Sequence, residues 1–191
     1  CGLDDSFDKI NRRLNIIDEG NALVVRAAID NNINTINSSS MGRLFDAVSA
    51  LLDICHSNSY EGQAPIELEN FASTAQKGYE LHIPKDGDVS GLFGGIFRGL
   101  EENVPREEIA LGFILAVSEY ILEIAQSNQD KLDENRQIVL SGGTFLNRIL
   151  LEDIIEKLEA HSFNVLIANA LPPGDGGICL GQAYVIQCNY S

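Results

Sequence analysis

The sequence has no tryptophan, one methionine and three histidines. His56, His82 and His161 show no HxxxH or HxxH spacing, so no metal centre is expected from this chain's histidines alone. Basic residues are scarce: 13 Lys and Arg stand against 28 Asp and Glu, a formal net charge of −15. Nucleic-acid binding needs clustered cations that displace counterions. Here the cations are scattered, so free nucleic acid is not an expected partner, and the charge reads as a solvated acidic surface. Cys1, Cys55, Cys179 and Cys188 form neither a CxxC nor a Cys/His ligand cluster, which argues against a structural zinc site. No apolar run reaches the roughly 18 residues of a membrane span, so no membrane is expected as a partner. The first residues, Cys1-Gly2-Leu3-Asp4-Asp5, carry neither the basic nor the apolar region of a signal peptide. The expected location is the cytoplasm, with reduced thiols. The missing initiator Met leads to the expectation of a piece of a longer protein.

What is present is an ordinary globular composition, 45% hydrophobic and 21% charged over 191 residues. That suffices for one large domain or one lobe with a helical insert. Residues 1–127 read as mainly helical. Phe7, Ile10, Leu14 and Ile17 share one face over 6–20, with Ser6 as cap, and a second helix covers 21–31. The polar loop 31–40 ends in serines; Ser39 or Ser40 can cap a helix that turns Leu44, Val48, Leu51 and Leu52 inward. Another helix is expected over 64–76. Residues 79–84 alternate like a strand, 85–88 form a turn, and 89–103 read as helical despite four glycines. Pro105 with Glu107 and Glu108 suits a helix start. That helix runs to about 127, with Ile109, Phe113, Ala116, Tyr120 and Ile124 in one stripe. After the charged loop 128–136, a βαβ unit is expected over about 137–188. It comprises a strand at 138–140, a helix over 145–160 carrying Leu146, Leu150, Ile154 and Leu158, a strand at 164–168 and a terminal helix over 177–188. This order predicts parallel strands.

Each strand is followed by a glycine-rich loop that opens a helix: Ser141-Gly142-Gly143-Thr144-Phe145-Leu146-Asn147 and Pro172-Pro173-Gly174-Asp175-Gly176-Gly177. Parallel strands end on one sheet edge, where open α/β sheets bind ligands, so both loops can face a common ligand. Gly142 and Gly143 remove the side chains that would keep an anion from the backbone, and they permit positive φ. The N–H groups opening the next helix are expected to be unpaired, with the helix dipole behind them. Asn147, expected one turn into that helix, can donate and accept on a base or sugar. No Gly-Lys-Ser/Thr follows, so the loop is not a Walker A. Asp175 is a hard oxygen ligand suited to a divalent metal that bridges phosphates. The plainer reading of either loop alone is a tight strand-to-helix turn with a capping Asp. Their pairing on one edge favours a nucleotide site.

The stretches Ser39-Ser40-Met41-Gly42-Arg43-Leu44-Phe45-Asp46-Ala47-Val48 and Ser59-Tyr60-Glu61-Gly62-Gln63-Ala64-Pro65-Ile66-Glu67-Leu68-Glu69, the two glycine loops and Gly181-Gln182-Ala183 follow one another over about 39–185. In these stretches the sequence resembles the C-terminal part of the HypF family, the carbamoyltransferases of nickel–iron hydrogenase maturation. In a more divergent form it resembles the TsaD family, which attaches threonylcarbamoyl groups to tRNA. The resemblance implies a helix-rich α/β fold, the second lobe of an actin/Hsp70-like (ASKHA) two-lobed nucleotide-binding fold, with 1–191 as a single partial domain. It implies that Asp46, Gln63 and Glu67 approach the nucleoside, that Ser141, Gly142, Gly143 and Asn147 hold the nucleotide, and that Asp175 binds a metal contacting the phosphates. The implied cofactors are ATP or carbamoyl-adenylate and a divalent metal (Fe, Zn or Mg). The implied reaction carries a carbamoyl group, activated from carbamoyl phosphate and ATP, to the C-terminal cysteine of a HypE-type maturation protein. A carboxylate such as Glu67 can accept from both ribose hydroxyls; considered alone, Asp46 and Glu67 read as solvated helix charges.

The sequence also departs from the family. The family's metal site uses an HxxxH pair from the first lobe, which does not occur here. The upstream modules (an acylphosphatase-like domain, zinc fingers and a carbamoyl-adenylate-forming domain) are absent from these 191 residues. Expected partners therefore include the N-terminal lobe and upstream domains of the same protein, and the metal would be incompletely liganded by this chain. No cysteine has an obvious basic neighbour in sequence to lower its pKa, so no nucleophile is assigned. One alternative is an inactive nucleotide-binding or interaction module, favoured for this piece by itself. The other is tRNA modification of the TsaD kind, against which the acidic charge and the spellings Arg43-Leu44-Phe45-Asp46 and Tyr60-Glu61-Gly62-Gln63 argue.

Overall fold

The structure, a computed structural model, describes residues 19–168 and 174–190. In chain order it contains α1 (Glu19–Asp30), α2 (Met41–Leu51), α3 (Gln63–Ala72), α4 (Ser90–Glu101), α5 (Arg106–Ser127), β1 (Gln137–Leu140), α6 (Arg148–Ala160), β2 (Asn164–Ile167) and α7 (Ile178–Tyr190). The helix expected over 6–20 lies outside the described residues, save its last two, which open α1. The chain divides into two compact units, Cys1–Leu68 and Glu69–Ser191.

In the first unit Ser40 caps α2. Its backbone is extended, and its Oγ accepts from the Arg43 N–H at 3.5 Å. Phe45, Val48, Leu51 and Leu52 are buried. Leu44, expected in the core, is half-buried, because Phe45 takes the inward position. After α2 the chain reverses at Asp53, whose φ is +60°, and the Asp53 carboxylate meets His56 Nε2 at 2.7 Å. The buried Cys55 thiol donates to the Ser57 carbonyl.

In the second unit α5 is the central element. The expected stripe understates it. Ile109, Phe113 and Ala116 are buried, but so are Ala110, Ile114, Val117 and Leu122, while Tyr120 is half-buried and Ile124 exposed. Burial on several sides marks a core helix rather than an amphipathic one.

The segment 79–84 corrects the sequence reading, because it is not a strand. The Tyr79 N–H donates to the Glu108 carbonyl at 2.8 Å, and a Cβ on Gly112 would collide with the Tyr79 backbone. The extended chain thus crosses α5 backbone to backbone. Its alternation reflects packing on helices, not a hydrogen-bonded ladder. Helix α3 also stops short of the expected 76, at Ala72.

The βαβ expectation holds. β1 and β2 pair in parallel, with Gln137 opposite Asn164 and Leu140 opposite Ile167. Behind them Leu122, Leu140, Ile154, Leu158 and Phe163 form a buried cluster. Lys157 on α6 reaches Asp153 at 2.8 Å and Glu119 on α5 at 3.3 Å. Among the described residues no helix is long and apolar enough to cross a membrane.

Candidate functional site

The first glycine loop leaves β1 at the exposed Ser141. Gly142 has φ +110° and ψ 161°, a region essentially closed to residues with a Cβ. A Cβ at Gly142 or Gly143 would meet nothing within 4 Å among the described residues, so the backbone here is open to an approaching molecule. A 3₁₀ turn, Gly143–Leu146, leads to Asn147. Asn147 is 7% exposed and is the N-cap of α6, its Oδ1 accepting from the Leu150 N–H at 2.9 Å. Its Nδ2 is buried and has no hydrogen-bond partner among the described residues.

Two expectations are corrected here. The helix expected over 145–160 is broken at Asn147, which stands before α6 rather than one turn inside it. The amides that open α6 are not free either. Asn147 takes that of Leu150, and Glu69 Oε1 accepts from the Arg148 N–H at 2.7 Å. The orphan donors of a helix start need partners, and here the chain supplies them for Arg148 and Leu150. A carboxylate already sits where an incoming anion would go. Among the described residues the loop keeps the open side of Gly142 and Gly143 and a buried, unpartnered Asn147 amide nitrogen.

In the second loop Pro172 and Pro173 lie outside the described residues. Gly174 backs onto the first loop: a Cβ there would stand 3.6 Å from Gly143 Cα. The two glycine loops therefore adjoin. A 3₁₀ turn, Asp175–Gly177, follows without a side-chain cap, and Asp175 is exposed. At the C-terminal ends of the strands a cleft of about 230 Å³ is walled by Leu140, Phe145, Leu146, Leu151, Ile167 and Ala168. This is an apolar surface beside the glycine backbone.

Asp175 alone does not make a metal centre. Among the described residues no group of three or more His, Cys, Asp or Glu is arranged to hold an ion. The described residues by themselves do not complete a metal site around Asp175.

The other expected site residues belong to the first unit. Asp46 is half-buried on α2. Gln63 and Glu67 are brought together: Gln63 Nε2 donates to Glu67 Oε1 at 2.7 Å, while Gln63 Oε1 accepts from the Ser59 N–H at 2.7 Å and the Ser59 hydroxyl at 2.8 Å. The Gln63 amide is thereby committed, and it orients the Glu67 carboxylate. Sequence reasoning gave Glu69 no role of its own. No local signal could have, since its partner lies 79 residues downstream.

These features define a helix-rich α/β protein with a parallel βαβ unit whose adjoining glycine loops occupy the C-terminal sheet edge. The chain belongs to the HypF carbamoyltransferase family: residues 3–182 match the family described as carbamoyltransferase, Kae1-like domain, second subdomain. It is 29% identical over 192 residues to the probable carbamoyltransferase HypF of Methanocaldococcus jannaschii, covering 98% of this chain and 25% of that protein. It is 31% identical to carbamoyltransferase HypF2 of Cupriavidus necator, covering 86% and 24%. The fold is similar to a crystal structure of full-length HypF in the phosphate- and nucleotide-bound form, with a TM-score of 0.82, 34% identity and coverage of 95% of this chain and 24% of that one. HypF from T. kodakarensis gives a TM-score of 0.81 at 25% identity, covering 96% and 24%. The chain thus spans about a quarter of the length of these relatives.

Proposed function

We propose that this chain is the nucleotide-handling second lobe of an actin/Hsp70-like fold in a carbamoyltransferase, acting with parts of the protein outside this sequence. The observation that carries the reading is the contact between the Gly143 and Gly174 loops at the strand ends, with open space over Gly142 and Gly143. The apolar cleft suits a base. The buried Asn147 Nδ2 suits a hydrogen-bond acceptor on it or on the sugar. Ser141, Gly142 and Gly143 form the backbone wall. Asp46, Gln63 and Glu67 keep the role toward the nucleoside that the resemblance implies, and Gln63 holds a Glu67 carboxylate able to accept from a diol. Asp175 supplies one oxygen ligand to a divalent ion whose other ligands lie outside this sequence.

The transferred group in this reading is carbamoyl, presented as carbamoyl-adenylate derived from ATP and carbamoyl phosphate. Its acceptor is the terminal cysteine of a HypE-type partner, in the cytoplasm. The nucleotide-bound relative supports the ligand class. The lobe contributes positioning and fixed dipoles rather than a nucleophile.

Titration of ATP with Mg²⁺ against the chain tests the reading. Gly143→Ala places a methyl in the open space over the loop without a strained φ, so ATP affinity falls by about tenfold or more while melting is unchanged. Asp175→Ala abolishes the Mg²⁺ dependence of binding. Wild-type affinity in Gly143→Ala would overturn the loop assignment. Unchanged Mg²⁺ dependence in Asp175→Ala would overturn the metal role.

A further inference from the structure

We infer that Glu69 is a positioning residue for the nucleotide site, holding the turn from which Asn147 offers its free amide nitrogen. The inference rests on the nucleotide reading above.

The Arg148 N–H belongs to the same planar peptide unit as the Asn147 carbonyl. A carboxylate bonded to that N–H at 2.7 Å therefore fixes the ψ of Asn147, which is 112° and not helical. An N-cap needs such a value. With the backbone held and Oδ1 bound to the Leu150 N–H, the planar side-chain amide has one place left for Nδ2.

That nitrogen is buried and has no partner among the described residues, a costly state that a ligand acceptor relieves. The charge of Glu69 matters as well. A carboxylate complements the positive end of α6 and keeps other anions from it. The acceptor that Asn147 meets is then an uncharged base or sugar atom, and the phosphates lie elsewhere. The Arg148 guanidinium is engaged by Glu152 at 2.6 Å. Glu69 reaches the loop from α3, 79 residues upstream, so the tie is tertiary and not part of local helix chemistry.

The test measures adenosine affinity by calorimetry for the wild type, Glu69→Gln and Glu69→Met. Gln keeps an acceptor oxygen; Met keeps length and helix propensity without one. Gln is expected to bind within about threefold of wild type, and Met about tenfold more weakly. Amide exchange at Arg148 accelerates in Met alone. A merely structural role would lower melting and leave the affinity of the folded protein unmoved, so wild-type adenosine affinity in folded Glu69→Met overturns the inference. The wild-type Asn147 side-chain amide resonances give a second reading that needs no variant. They shift on adenosine addition, and unmoved resonances in a chain that binds adenosine also overturn it. A wild type that binds neither adenosine nor ATP overturns the nucleotide reading itself, a result distinct from either of these.

Discussion

Both glycine loops follow a strand of the same parallel pair, and they touch at Gly143 and Gly174. The first is closed from within. Asn147 caps α6, Glu69 takes its first amide, and Gly142 sits in a glycine-only conformation. The second has no side-chain cap, an exposed Asp175, and a helix whose Ile178, Leu180, Tyr184, Val185 and Ile186 are all exposed. The same grammar of strand, glycines and helix has produced a fixed wall and an open one. What separates them is whether a side chain from another element reaches the helix start. A fixed wall suits recognition of a shape, whereas an open carboxylate is a hard oxygen donor available to a cation.

Backbone strain gives the largest expected contrast. Gly142→Ala forces a Cβ into φ +110°, ψ 161° and should cost about 1–3 kcal/mol in urea unfolding. Gly174→Ala keeps an extended backbone, φ −97° and ψ −154°, and adds only an ordinary contact with Gly143. It should stay within about 0.5 kcal/mol of wild type. Equal losses at the two positions would erase the distinction between a fixed and an open loop.

The cap comes next. Asn147→Ala removes the Oδ1 bond to the Leu150 N–H and should cost about 1 kcal/mol. Asp175→Ala touches no cap and should leave the unfolding midpoint unchanged while altering Mg²⁺-dependent ATP binding. Destabilisation by Asp175→Ala comparable to that of Asn147→Ala would mean that the second loop is a structural turn after all.

The sequence made the βαβ unit legible because the apolar runs before Ser141 and after Phe163 are short, are bounded by turn residues and flank a clear helical stripe. It marked Gly142 and Gly143 alike as able to take positive φ, which of the two only Gly142 adopts. The segment 79–84 misled because a period of two describes any extended chain with one side buried, whether its neighbour is a strand or the surface of α5. Only the pairing of Tyr79 with Gly112 and Glu108 settles it. Likewise the start of α6 read as an open anion seat, since nothing near Arg148 in sequence announces the Glu69 carboxylate.

The smallest expected effect tests the same chemistry at a third helix start. Just before α4, Asp88 Oδ1 accepts from the Ser90 hydroxyl at 2.6 Å and from the Ser90 N–H at 2.9 Å. These bonds, the hydroxyl's first, hold the Asp88 carboxyl below the ordinary aspartate value of 3.8. A depressed folded pKa contributes stability that is fully present above the unfolded value and is lost as pH falls through the folded one. Asp88 therefore adds its small share near neutral pH and gives it up only in the acid range below 3.8. Unlike Glu69 it is local and fully exposed, so it should affect neither adenosine affinity nor the first loop. Carboxyl titration by NMR in folded and urea-unfolded chain should show the lower midpoint in the folded state, and Asp88→Asn should remove that part of the acid sensitivity. Coincident midpoints would show that a carboxylate two residues from its amide gains nothing in the fold, leaving the long-range tie of Glu69 as a different kind of contact.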